Sequence, residues 1–395
     1  MKTPLTITFC FACALCNAQQ TTLRDALMQA SRNRPSVKAA RLQIEQARHA
    51  SKALGAYAPT TLGLGASSRG EVGATDGDLF VSQAIDVFGR NAANRRLGGV
   101  GIESAKVAYS AQLLDLQTDV MDAYFEASNA YRLSQSAHDL LEIAEKLQKA
   151  TIRRFEEGKV AEVQVTRSQI EYGRAKQAAL LRESQLKTAL KRLSGLVGVE
   201  IVQLDSEAAI EPLKNKDTSL RPDLLAIKAE IEAAKAEAGI ASRSSLPEVE
   251  FQIRRSPWND TPSYWGGRLQ LTWSIDDHGK SRNETQAAKR KAEASMATFE
   301  DAKARSLSEL AANDIEIAAA ESSVKSLSEL TATTKLLVEK AQKGFSQGVS
   351  TLIDVLEATR ALREVEQELS EARLSLNVAL VSQYRLTGTL MEVVK

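Results

Sequence analysis

Apolar positions recur every seven residues through the C-terminal half of the chain. Leu310, Ile317, Val324, Thr331, Val338 and Phe345 form one row. Val355, Leu362, Leu369 and Leu376 form another, with Ala358, Val365, Ala372 and Ala379 three residues on. A seven-residue period keeps one narrow stripe of a helix facing its partner, so these rows predict a coiled-coil seam with small Ala in half its holes. Elsewhere the period is two. Between Trp265 and Asp276, Trp265, Gly267, Leu269, Leu271, Trp273 and Ile275 share one face, while Gly266, Arg268, Gln270, Thr272, Ser274 and Asp276 share the other. Val249, Phe251 and Ile253 alternate with Glu250, Gln252 and Arg254, and Leu62, Leu64, Leu79, Val81, Ile85 and Val87 repeat the pattern less cleanly. Alternation over about ten residues is the length of a membrane β-strand with one lipid face and one wet face.

Prolines divide these patterns. None occurs from 60 to 211 or from 263 to 395, and in those two stretches long helices can run. The chain also repeats itself. Arg34-Pro35-Ser36 matches Arg221-Pro222-Asp223, and Ala58-Pro59 matches Leu246-Pro247. Ile85-Asp86-Val87-Phe88-Gly89-Arg90 matches Ile275-Asp276-Asp277-His278-Gly279-Lys280. Phe155-x-x-Gly158 matches Phe345-x-x-Gly348, and Arg192-Leu193-Ser194-Gly195 matches Arg385-Leu386-Thr387-Gly388. The offset stays between 187 and 193 residues, which is the mark of a duplication. Each repeat (19–194 and 222–388, joined by a connector 195–221 and followed by a tail 389–395) reads as helix, strand pair, long helix, turn, helix. The expected helices are 22–54, 89–157, 160–194, 222–245, 280–344 and 349–387, and the strand pairs lie at 60–88 and 248–276. At 1.5 Å per residue each long helix reaches about 100 Å, and the two short ones of its repeat sum to about the same height. Columns of equal height suggest a tube wall. Gly98, Gly99 and Gly101 fall inside one long helix, each at a cost of about 0.5–1 kcal/mol relative to Ala, so a bend or a later helix start is expected there.

Composition narrows the function. Of 395 residues, 51 are basic and 50 acidic, which excludes a basic nucleic-acid binder. Only 5% are aromatic, too few for a large mixed core. Residues 1–18, with Lys2, an apolar stretch and Cys16-Asn17-Ala18, read as a cleaved secretory signal that contains all three cysteines. A lipid-anchored start fits the residues before Cys16 less well. No later apolar run reaches about 18 residues, so no spanning helix is expected. Neither a phosphate-binding loop, a spaced pair of His ligands nor a Ser-His-Asp set occurs, and no cofactor, metal site or catalysis is expected. Four strands cannot seal a barrel, since bacterial outer-membrane barrels start at about eight and open edges cannot face lipid. The protomer must share its barrel: three copies would supply twelve strands, two would supply eight.

These residues resemble the TolC-type outer-membrane efflux channels, or outer membrane factors, over nearly the whole mature chain. The repeat, the two Arg-Pro starts, the Ile-Asp-x-x-Gly-basic strand exits and the two Phe-x-x-Gly turns carry the resemblance. The short length and the start of the second repeat are similar to the heavy-metal-efflux branch. The resemblance implies a mainly α protein with a membrane β-barrel: a long coiled-coil helical tunnel plus four β-strands per protomer, closed by homotrimerisation. It also implies an outer-membrane location with a large periplasmic extension, and partnership with a periplasmic adaptor and an inner-membrane pump. Phe155, Gly158, Phe345 and Gly348 then become the tip turns that contact the adaptor. Asp354 and Glu357, three residues apart and so on one helix face, become the acidic constriction of the tunnel entrance. Six crowded carboxylates would favour cations and raise some carboxylate pKa values. Gln164 and Arg167 stand at the first-repeat equivalents, so no second acidic ring is expected, and Ser350 and Gln164 stand where some members keep a charged latch. Trp258, Tyr264, Trp265 and Trp273 become an aromatic belt against outer-membrane lipid. The competing reading is a soluble periplasmic coiled-coil adaptor or structural protein.

Overall fold

The structure is a computed structural model that describes residues 20–68, 75–214, 216–256, 264–274 and 276–391. The signal segment and Trp258 lie outside the described residues, as does Ile275. Seven helices and four strands follow in the order α1 (Leu23–Asn33), α2 (Pro35–Leu54), β1 (Thr61–Ser68), β2 (Thr75–Ile85), α3 (Arg90–Glu156), α4 (Glu162–Val197), α5 (Pro222–Ser244), β3 (Glu248–Ser256), β4 (Tyr264–Thr272), α6 (Lys280–Gln347) and α7 (Leu352–Thr387).

The shafts obey the seven-residue rows. Leu310, Ile317, Thr331, Val338 and Phe345 of α6 are buried, and so are Val355, Leu362, Leu369, Ala358 and Ala379 of α7. α3 carries 67 residues and α6 68, about 100 Å each at the α-helical rise. Half-length helices pack along them, α2 and α4 on α3, α5 and α7 on α6, while α5 and α7 also touch α3 and join the two repeats.

Three expectations are corrected by local physics. The first helix, expected as one piece over 22–54, is two. Pro35 has no N–H to continue α1 and forces Arg34 into extended backbone (ψ 121°), so a second helix starts with proline in its first turn. α4 does not end at Gly195, the sequence equivalent of Gly388. It runs one turn further to a left-handed Gly198 (φ 78°), whereas α7 does end on Gly388 (φ 69°). Nor do the glycines in α3 delay or interrupt it. Gly98 lets two helices touch: a Cβ there would lie 2.5 Å from Ser51 Oγ and 2.9 Å from Ser51 Cα of α2. Gly99 and Gly101 face open space.

The largest core among the described residues lies neither at the helix tips nor in the sheet. It lies around the middle of α3, where Leu27, Val120, Met121, Tyr124, Phe125, Leu193, Val197, Ile201, Leu204 and Leu380 pack together. The stretch 195–221, expected only to connect the repeats, supplies part of this core through Val197, Ile201, Leu204 and Ile210. Thr21 pairs in parallel with Leu204, and the buried Tyr124 hydroxyl donates to the carbonyls of Thr21 (3.1 Å) and Asp205 (2.8 Å). Burial pushes the Tyr124 phenol well above its ordinary pKa. Gln383 is fully buried and accepts from the Leu213 N–H at 2.8 Å.

All four strands form one antiparallel sheet, β1-β2-β3-β4, in which β2 pairs directly with β3 across the repeats. Both outer strands keep open edges. The four helix-bearing strand ends lie on one side of the sheet, and the other four strand ends lie on the opposite side.

Candidate functional site

Two places concentrate chemistry: the far tip of the helices and the two faces of the sheet. At the tip, α3 and α6 each end in a glycine turn. Gly158 (φ 69°) and Gly348 (φ 85°) take left-handed backbone that residues with a Cβ rarely adopt, which lets the chain reverse into α4 and α7. The two phenylalanines of the repeated motif part company. Phe345 is buried (2% exposed) in a second core with Leu140, Leu147, Val338, Leu352 and Val355, while Phe155 is 42% exposed. Phe155 is therefore open to solvent, whereas Phe345 supports its turn from inside.

A residue that the sequence reading passed over joins the two turns. The Arg154 guanidinium lies 4.8 Å from the Phe345 ring centroid, and its Nη1 donates to the Phe345 carbonyl at 2.6 Å. A flat cation over an aromatic face gains from the ring quadrupole, and the hydrogen bond satisfies a carbonyl at the end of α6. The end of α3 thus clamps the end of α6. Its first-repeat position, next to the repeated Phe155 and without an equivalent cation beside Phe345, gave the sequence pattern nothing to match.

Asp354 and Glu357 share the first turns of α7, both exposed. Asp354 has a local task as well. Thr351 accepts from the Asp354 N–H (3.2 Å), and the Asp354 carboxylate accepts from the Thr351 N–H (2.7 Å), a reciprocal capping box. Those hydrogen bonds to the charged form hold the Asp354 carboxyl below its ordinary pKa within the protomer. On this helix the pattern Thr-x-x-Asp was the readable signal of a cap. Beside the pair, Arg360 of α7 reaches Glu171 of α4 at 3.0 Å, a further tie between the two helices that return from the tip.

At the sheet, polarity divides the two faces. Leu64, Leu269, Leu271 and Trp265 are 80%, 70%, 63% and 59% exposed on one face, while Ser82 on the opposite face is only 4% exposed. One face is apolar and the other largely polar, the alternation of a barrel wall with lipid outside and water inside. Registers Leu62↔Val81↔Ile253 and Ile85↔Val249↔Leu271 carry the apolar face across strands from both repeats. Gly63 makes room for Phe80 across the strand pair, since a Cβ on Gly63 would fall 2.2 Å from the ring. Trp265 is the second residue of β4 and Trp273 just follows the strand, hydrogen-bonded through Nε1 to the Ser245 carbonyl (3.1 Å). Eight residues of strand, tilted by about 40°, separate them by about 20–25 Å, close to the height of an outer-membrane apolar band. The tryptophans thus mark two levels rather than one. Tyr57 (73% exposed) and Phe88 (37%), which flank β1 and β2 at the helical end, stand with Trp273 at the lower level and were not picked out from sequence. Tyr264 opens β4.

The strand-to-helix exits repeat in sequence but not in detail. Asp86 caps α3 by accepting from the N–H groups of Arg90 (2.7 Å) and Asn91 (2.9 Å). The same work in the second repeat falls to Asp277, which accepts from Gly279 (3.0 Å) and Ser281 (2.9 Å), one residue later than the matched Asp276. Asp276 turns to the His278 N–H at 2.7 Å, and no cluster of metal-ligating side chains occurs among the described residues. No described helix is long and apolar enough to cross a membrane.

Comparison with known proteins agrees with this geometry. The family profile described as "Outer membrane efflux protein" matches residues 26–199 and 216–389, one match on each repeat. The chain is similar to the outer membrane protein TolC of Vibrio cholerae, 25% identical over 72% of this chain and 70% of the relative. It is also similar to the pyoverdine export outer membrane protein OpmQ of Pseudomonas aeruginosa, 23% identical over 78% of this chain and 69% of the relative. Among solved structures, the CusC channel superposes with a TM-score of 0.78 at 18% identity, covering 93% of this chain and 92% of that one. The MtrE outer membrane channel of Neisseria gonorrhoeae, in its open state, superposes with a TM-score of 0.76 at 18% identity, covering 93% and 88%.

Proposed function

The chain belongs to the outer membrane efflux protein family, and from that premise we propose that three copies of it assemble into a passive export duct through the outer membrane. The observation that carries this reading is the sheet: four strands, apolar on one face and largely polar on the other, with both edges open among the described residues. Unpaired edges in lipid cost several kcal/mol per lost hydrogen bond, so β1 of one copy must meet β4 of the next. Three copies give a twelve-stranded barrel, well within the range of membrane barrels. The helical shafts of the same copies continue the wall for about 100 Å into the periplasm.

At the far end, the exposed Phe155, Val349 (83% exposed) and Ile353 (48%) offer an apolar rim around the two glycine turns. Exposed apolar groups at a solvent-facing tip favour a protein partner, here a periplasmic adaptor that seats the duct on an inner-membrane pump. Asp354 and Glu357 supply the acidic constriction at the entrance, with Arg154 on Phe345 holding the turns that frame it. Work against a gradient falls to the pump, and the duct supplies only a path.

Fractionation of cells with cross-linking tests the assembly. The chain is expected in the outer membrane as a heat-modifiable trimer that conducts ions in planar bilayers. Recovery as a soluble periplasmic monomer would sink the duct and favour a coiled-coil adaptor.

A further inference from the structure

The polar face of the sheet holds one cation that its row does not balance. Arg268 lies mid-way along β4, in register with Gln252 of β3, which faces Ser82 of β2, which faces Thr61 of β1. Every other member of that row is uncharged. On β3 the flanking residues of the same face, Glu250 and Arg254, lie one diagonal step to either side and oppose each other in sign. Arg268 is exposed and has no ion-pair partner among the described residues. The strand that carries it is a sheet edge. In the closed barrel its outer neighbour is β1 of the next copy, whose wet face at this level holds Thr61, Gly63 and Gly65, side chains too small to cover it.

We propose that Arg268 builds a cationic ring inside the barrel, one guanidinium per copy, that binds polyanions and eases the exit of anionic solutes. This rests on the trimeric duct proposed above. Twelve strands about 4.8 Å apart and tilted about 40° close at a radius of about 12 Å. A long Arg side chain spans about half of that radius, so the charges stand within one Debye length (about 8 Å at physiological salt) of the axis. Three like charges on a low-dielectric wall focus their field into the lumen, as charged rings do in other pores. The duct then carries two filters of opposite sign: carboxylates at the helical entrance and guanidiniums at the membrane exit. A solute with only one sign of charge is held by one ring and passed by the other.

The test uses the purified full-length trimer in planar bilayers, with inorganic tripolyphosphate added on the barrel side. Wild type is expected to show voltage-dependent block. Arg268→Gln should raise the blocking concentration by about five-fold or more and lower the anion-to-cation permeability ratio, Arg268→Lys should stay within about two-fold, and Arg268→Glu should abolish block. Heat-modifiable trimers on gels confirm that each variant assembles. Block that is absent in wild type, or equal in wild type, Arg268→Gln and Arg268→Glu, overturns the ring while leaving the duct intact. A wild-type trimer that inserts without conducting overturns the duct itself, so the two failures are told apart.

Discussion

Gly98 and Gly99 sit side by side in α3 and answer to different forces. A Cβ at Gly98 would press on the Ser51 backbone, so α2 would have to move away from α3. Gly98→Ala is expected to cost about 1–3 kcal/mol by overpacking. Gly99→Ala meets nothing and should stabilise by about 0.5–1 kcal/mol through helix propensity and a less flexible unfolded chain. Thermal melts of the two variants decide; equal shifts would mean that the helix contact is not tight. The acidic pair needs the same care with side chains. Asp354 caps α7, so replacing it with Ala would mix a frayed helix with a lost charge. Glu357→Gln alters charge alone and is expected to reduce cation preference in bilayer recordings. An unchanged reversal potential would remove Glu357 from the constriction. The Asp354 carboxyl, held low by the Thr351 bonds, contributes helix stability above its unfolded pKa and loses it as pH falls through its folded value.

Between elements, the decisive contact is a single arginine on a single ring. Arg154 fastens the end of α3 to the end of α6, so neither tip turn can open without breaking a stacked cation and a 2.6 Å hydrogen bond. Arg154→Ala is expected to raise the resting conductance of the duct several-fold. Arg154→Lys, which keeps the charge but loses the planar stack, should fall between. Wild-type conductance in Arg154→Ala would make the contact a passenger. At the opposite end of the shafts, Arg90 plays a comparable part for the sheet, donating to Glu248 Oε1 (2.6 Å) and the Arg243 carbonyl (3.2 Å) and so tying the start of α3 to the start of β3. Both contacts cross from one repeat to the other.

For the whole molecule, the membrane sets the terms at one end and burial of charge at the other. Leu269 is 70% exposed on the apolar face. A cation at the lipid midplane of a barrel costs about 2–4 kcal/mol, so Leu269→Arg is expected to lower the yield of outer-membrane trimers, read by fractionation. Normal yield would place that face in water. In the middle of α3, desolvation, reinforced by Asp119 and Glu126, pushes Asp122 up to about 6, and its Oδ1 has no hydrogen-bond partner. Its folded pKa exceeds the unfolded one. Its contribution is therefore whole at low pH and is lost as pH rises through about 6. Asp122→Asn should flatten the melting temperature between about pH 4 and 7 and raise it at the upper end. A pH profile parallel to wild type would show that water or a neighbour relieves the carboxylate.

The sequence alone determined the periodic parts of this protein. Seven-residue rows, two-residue alternation, proline deserts and a constant repeat offset report local backbone geometry and which side of each element is dry, and both follow from neighbours a few residues apart. That was enough for the shafts, the four strands, the glycine turns and the need for further copies. The same logic contained the break at Pro35, although the pattern on either side concealed it. What only the tertiary structure decided depends on residues distant in the chain. The connector became core because Tyr124 needed acceptors from Thr21 and Asp205. Gly98 proved to be a contact because Ser51 lies against it. The repeated phenylalanines separated into one buried and one exposed because only Phe345 has Arg154 above it and a second core beneath it. A duplication copies a pattern into both halves, but packing gives each copy different neighbours, and those neighbours set what each residue does.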